Sequence, residues 1–121
     1  MTTYLASRVT AAASAAYGAY CLAKPQHLGQ ALKADLAEMP AYRDLAFTYG
    51  GRDLAISLAA LTGRSPAVVR TAVALRIAMD LTDCATLSAS VADRGLRTKV
   101  VAITLGWAAL NGAALLLDER A

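Results

Sequence analysis

The chain has little of what many small folds are built on. Two cysteines, Cys21 and Cys84, in 121 residues exclude a disulfide scaffold. Charged residues make up only 17% and aromatic ones 6%, against about 25% charged in an average soluble domain. No stretch sustains the apolar–polar alternation of strands and alanine is abundant, which argues against a β-sandwich. The single histidine, His27, has no metal-ligand companions beside it, so no metal or other cofactor is expected. The net charge of +3 is scattered and forms no basic stripe along which a phosphate backbone could run. Nucleic acid is therefore not an expected partner. Disorder requires low hydrophobicity and high net charge, and an apolar content of 57% excludes it. What remains is a single all-α domain over residues 1–121, either in a membrane or as an unusually apolar bundle.

Four apolar blocks carry that reading. The first runs from about residue 4 to 23 and stops at Lys24 and Pro25. The second spans about 42–62 and stops at Gly63. The third enters through Ser65 and Pro66, a good helix start, and continues to about Val91. The fourth covers about 100–117 and ends at the charged Asp118, Glu119 and Arg120. Each approaches the roughly 20 residues needed to cross a bilayer. Short connections then predict an antiparallel four-helix integral membrane bundle. Residues 25–40 place Leu28, Leu32, Leu36 and Met39 at helical spacing among charges, which predicts a short amphipathic helix at the membrane surface. The plainer alternative for that segment is an ordinary connection in a soluble bundle.

Block one is read as a retained helix, because its one basic residue, Arg8, lies inside it and makes a poor signal-peptide start. Ser7, Thr10, Ser14, Tyr17 and Cys21 fall on one side of it, a small and polar seam suited to close helix packing. Lys24, Lys33, Arg43, Arg94, Arg97 and Lys99 gather on one side of the blocks, against Arg64 and Arg120 on the other, joined by Arg8 and Arg70 if these snorkel. This places both termini outside the cytoplasm.

The informative residues are charges within apolar blocks. Block two carries Gly50, Gly51, Arg52 and Asp53 near its middle, and block three carries Arg76, Asp80 and Asp83. At about 100° per residue, Asp80 lies about 40° from Arg76 and Asp83 about 20° to the other side, one narrow face. Asn111 and Thr104 share a face of block four. Charged groups at mid-span should meet inside the bundle rather than face lipid. Three carboxylates (Asp53, Asp80, Asp83) against two arginines leave one acid unpaired. Asp80 and Asp83, one turn apart, are the candidates to take up a proton, unless another cation such as Arg8, Arg70 or a ligand enters. The functional reading is a site where Asp53, Asp80 and Asp83 are catalytic, Arg52 and Arg76 set their charge states, and Asn111, Tyr49 and Trp107 contact a ligand. The bland reading is an ion-pair network that fixes helix register. Gly50 and Gly51 form no phosphate loop; they let another helix approach, or bend block two.

The Gly-x-Arg-Asp element at residues 50–53 and the acidic third block resemble a family of small four-helix integral membrane proteins of unknown function, found in actinobacteria and fungi. The resemblance implies a membrane fold along nearly the whole chain. Some members of that family sit near natural-product pathways, which implies a lipophilic small-molecule substrate. In size the chain is also similar to small multidrug transporters, but its first block lacks their glutamate. The function expected is binding of a lipophilic molecule in a membrane, with acid–base isomerisation, cyclisation or epoxide opening. The alternatives are a transporter subunit or structural partner, which for transport would require a homo-oligomer, and a soluble helical bundle.

Overall fold

The computed structural model describes residues 3–120, and these are all-α, with no strand among the described residues. Four long helices, α1 (Leu5–Ala23), α3 (Met39–Thr62), α4 (Pro66–Ser90) and α5 (Arg94–Arg120), are joined by short connections. A short helix, α2 (Gln26–Ala31), lies between α1 and α3. Each long helix packs against two others: α1 on α3 and α5, α4 on α5 and α3, while α2 rests on α3.

Local chemistry explains the boundaries. Ser65 caps α4 by accepting from the Val68 N–H at 3.2 Å, with Pro66 at the first helical position. α5 begins six residues earlier than its apolar block, because Asp93 accepts the Leu96 N–H at 2.9 Å. Asp93, Arg94 and Gly95 therefore open α5 rather than merely ending α4. Arg97 secures the turn by donating from Nη2 to the Val91 carbonyl at 2.9 Å. The amphipathic helix expected over 25–40 is shorter than its pattern. It stops at Ala31, Lys33 turns left-handed at φ 54°, and the Ala34 N–H closes back on the Gly29 carbonyl at 2.8 Å. Asp35 and Glu38 then bond reciprocally, each side chain to the other's N–H at 2.8 and 3.1 Å, and lead into α3. Leu28 and Leu32 consequently turn inward while Leu36 is left 93% exposed.

The helices meet at their small residues. α1 and α3 cross at Gly18 and Gly50: a Cβ on Gly50 would stand 2.9 Å from the Gly18 carbonyl, and one on Gly18 3.0 Å from the Gly50 carbonyl. A Cβ on Gly51 would meet nothing within 4 Å. Of the two roles open to the glycine pair, close approach belongs to Gly50 alone. Gly50→Ala should therefore destabilise by about 1–3 kcal/mol through overpacking, whereas Gly51→Ala should stabilise by up to about 1 kcal/mol through helix propensity. Thermal unfolding of the two variants side by side checks this; equal shifts of the same sign would contradict it.

Charges at one end cap helices other than their own. The Asp118 carboxylate, on α5, accepts the N–H groups of Ala6 and Ser7 at 3.1 and 2.7 Å, so it caps the start of α1, where Tyr4 offers no side-chain cap. Arg8, on α1, donates to the carbonyls of Ala60, Leu61 and Gly63 at 2.6–3.0 Å and caps the end of α3. Arg70 pairs with Glu119, which also accepts from the Tyr4 hydroxyl at 2.9 Å. Arg8 and Arg70 are thus engaged at this end, away from the mid-span aspartates. Asp118→Ala should cost about 1–2 kcal/mol, measured as a lowered melting temperature, and should raise hydrogen exchange in the first turn of α1.

The interior is rich in small and polar side chains. Among the described residues, the buried set is thirteen apolar side chains, mostly alanine and valine, against ten polar or charged ones. Many large aliphatics lie outside: Leu5, Val9, Leu75, Leu81, Leu110, Leu116 and Leu117 are all exposed. By length and composition one described helix, α5, is long and apolar enough to cross a membrane. The other long helices are more polar: α1 carries Arg8 and its serine–threonine seam, α3 carries Arg43, Asp44, Arg52 and Asp53, and α4 carries Arg70, Arg76, Asp80 and Asp83.

Candidate functional site

Five charges from two helices form an alternating chain. Arg52 and Asp53 are neighbours on α3; Arg76, Asp80 and Asp83 follow one face of α4. Asp83 accepts two hydrogen bonds from Arg52, at 3.0 and 2.6 Å, in the forked geometry that suits a guanidinium and a carboxylate. Arg52 also bonds Asp53 at 3.0 Å. The other oxygen of Asp53 lies 3.5 Å from Nη1 of Arg76, within ion-pair reach but not in hydrogen-bond geometry. Arg76 in turn reaches Asp80 through Nε, at 3.3–3.4 Å. The order is Asp83, Arg52, Asp53, Arg76, Asp80, with a carboxylate at each end. Asp53, Arg76, Asp80 and Asp83 are all buried. The two ends differ sharply: Asp83 is held by two good bonds, Asp80 by one long one.

Aromatic rings flank the cations. The Arg52 guanidinium sits 4.7 Å from the centre of the Tyr49 ring, and that of Arg76 lies 5.8 Å from Trp107. These contacts add to the hold on each guanidinium. Among the described residues, no three His, Cys, Asp or Glu side chains are grouped to hold a metal ion. The guanidiniums stand between the carboxylates instead.

The chain of charges borders a cavity of about 380 Å³. Asp53, Arg76, Asp80 and Asp83 line it together with Tyr49 and Trp107, and the remaining wall is largely apolar. Its lining residues come from α2, from Leu32 just after it, and from the parts of the long helices nearest α2, reaching as far as Asp53 and Arg76 near mid-helix. In the other half the interior is filled by Tyr4, Val69 and Val73 and by Ala11, Ala60 and Ala72. The cavity is therefore blind at its inner end, and α2 lies over its outer part through His27, Leu28 and Leu32.

No family model, no curated protein and no solved structure matches the chain. The site must accordingly be read from its own geometry.

The structure brings six of the eight residues singled out from sequence to the cavity wall. Arg52 stands behind the wall, bonded to Asp53 and Asp83. Asn111 is buried, but its amide donates to the Trp107 carbonyl at 2.8 Å and it does not line the cavity. Sequence reasoning missed Tyr17, His27, Lys99 and Thr104 as wall residues. His27 sits between the edges of Tyr17 and Tyr20, at ring distances of 6.3 and 5.0 Å. A signal existed on α5: Val100, Ile103, Thr104 and Trp107 recur at helical spacing and all face the cavity. None existed for His27, whose placement depends on where α2 stops.

Proposed function

We propose that this chain is an integral membrane protein: an antiparallel four-helix bundle that takes a lipophilic small molecule into its cavity and performs proton-transfer chemistry on it. The observation that carries this reading is the inverted distribution of side chains. Leucines face outward over the long helices, while four buried charged residues and the half-buried Arg52 lie together inside. In water that arrangement leaves apolar area exposed and desolvates ions; in lipid both choices are favourable relative to their alternatives. The likeness of residues 50–53 and of the acidic α4 to the small four-helix membrane family points the same way. By the distribution of lysine and arginine, the α2 side, onto which the cavity is placed, faces the cytoplasm.

In this reading Asp80 is the general acid. It holds the weakest share of the two guanidiniums, and the count of three acids to two bases leaves one carboxyl free to carry a proton. Asp80 gives that proton to an oxygen or alkene of the substrate. Asp53 or Asp83, each bonded to Arg52, stabilises the developing cation or removes a proton from carbon. The outcome is isomerisation, cyclisation or epoxide opening. Tyr49 and Trp107 form walls that orient the apolar body. A transporter would need a path through the half filled by Val69, Val73 and the buried alanines, so the blind cavity favours binding and chemistry over passage.

Two measurements test the proposal. After cell breakage the protein should be found in the membrane fraction; recovery in the cytosol without detergent would end the membrane reading. Trp107 is the one tryptophan of the chain and lines the cavity, so its fluorescence reports occupancy. Titration of the purified protein with an uncharged terpenoid epoxide should give a saturable change, weakened in Thr104→Phe, which puts an aromatic ring into the cavity. A wild-type response that is absent, or that survives Thr104→Phe unchanged, would refute the pocket.

A further inference from the structure

A second, much smaller cavity of about 10 Å³ lies on the inner side of Arg76, between α1, α3, α4 and α5. Its polar lining is Ser14, Ser57, Arg76 and Asn111; the rest is alanine, valine and isoleucine. All four polar residues are more than nine-tenths buried. Two of them hold groups with no hydrogen-bond partner within the protein: the Ser14 hydroxyl oxygen and Nη1 of Arg76. Orphaned buried donors are costly, on the order of 1–3 kcal/mol each and more for a charged group. Their coincidence around one cavity calls for a shared partner.

We propose that this cavity is a binding site for a single water molecule, which accepts from Nη1 of Arg76 and bonds the Ser14 hydroxyl. Size and chemistry agree. A water needs roughly 10–15 Å³ of such space and two to four polar partners, and no larger ligand fits. A metal cation is excluded by the guanidinium on the wall. Ser57 and the side-chain carbonyl of Asn111, whose amide nitrogen is committed to Trp107, supply further groups to receive the water's protons. Arg76 borders both cavities. The water thus completes the coordination of the arginine on the face turned away from the main cavity, while Asp53 and Asp80 hold it at the ion-pair distances given above. It also gives α1 a hydrogen-bonded link to the charged chain, which otherwise involves α3 and α4 alone. The site stands independently of the substrate proposed above, since it uses no feature of the ligand or of the reaction.

The test is direct observation of the water in the full-length protein in detergent micelles. Asn111 lines the small cavity and not the large one, so its side-chain amide protons should show a nuclear Overhauser cross-peak to water with the sign of a nanosecond-or-longer residence. Ser14→Val fills the space with methyl groups and should abolish that cross-peak. Its absence in the wild type, or its persistence in Ser14→Val, overturns the proposal. Should Ser14→Val fail to fold, a high-resolution crystal structure of the wild type decides the matter. Density for one solvent atom within about 3.2 Å of both Ser14 Oγ and Arg76 Nη1 supports the site, and a dry cavity refutes it.

Discussion

Arg76→Ala should lower stability by about 3–5 kcal/mol, the cost of stripping one partner from a buried ion pair. Among the described residues, Arg76 is the one guanidinium in contact with Asp80, and it shares Asp53 with Arg52. Its removal leaves the buried Asp53 to Arg52 alone and takes from Asp80 the donor it accepts from. The lost transfer of the aliphatic stem and the broken contact with Trp107 add to the penalty. Arg64, exposed in the α3–α4 connection, provides the control, and Arg64→Ala should stay within about 0.5 kcal/mol of the wild type. The comparison is made by thermal unfolding in one mild detergent and by yield of folded protein. Equal stability of Arg76→Ala and Arg64→Ala would show that the alternating chain contributes nothing to the fold.

The two terminal carboxylates of that chain should respond oppositely to the same substitution. Asp83 receives two hydrogen bonds from Arg52, at 3.0 and 2.6 Å. An asparagine there can accept through one oxygen only and turns an N–H₂ group toward the guanidinium. Asp83→Asn should thus cost about 2–4 kcal/mol, one to two charge-assisted bonds being lost at about 1.5–3 kcal/mol each. Asp80 makes only the long Arg76 contact, and an amide has nearly the shape of a protonated carboxyl. Asp80→Asn should therefore change stability by less than about 1 kcal/mol. If Asp80 is the acid of the site, the same variant abolishes proton donation, so acid-dependent conversion of a bound ligand should fall by at least about 100-fold, the typical share of general acid catalysis. The infrared band of a protonated carboxyl should be present in the wild type and missing in Asp80→Asn. A stable Asp83→Asn, or a protonated-carboxyl band that survives in Asp80→Asn, would contradict this assignment.

Taken residue by residue, the sequence by itself determined the helices and the face on which Arg76, Asp80 and Asp83 lie. Helical periodicity is a property of one chain segment, and the 3.6-residue repeat puts positions 76, 80 and 83 together whatever surrounds them. Desolvation then requires that face to turn inward, as it does. The buried seam of Ser7, Thr10, Ser14 and Cys21 was legible for the same reason, although Tyr17 on its edge is partly exposed. Tertiary structure alone decided which charge meets which. The fork between Arg52 and Asp83, the sharing of Asp53 and the weak hold on Asp80 depend on the rotation and axial offset of α3 against α4. Those offsets are set by contacts between segments distant in sequence, among them the close crossing of Gly18 and Gly50. The end caps follow the same logic: nothing near Asp118 or Arg8 in sequence reveals that they serve α1 and α3. The cavity, too, belongs to the assembly. It exists because α2 stops at Ala31 and because bulky side chains occupy the outside of the helices, leaving small and polar ones to enclose the space within.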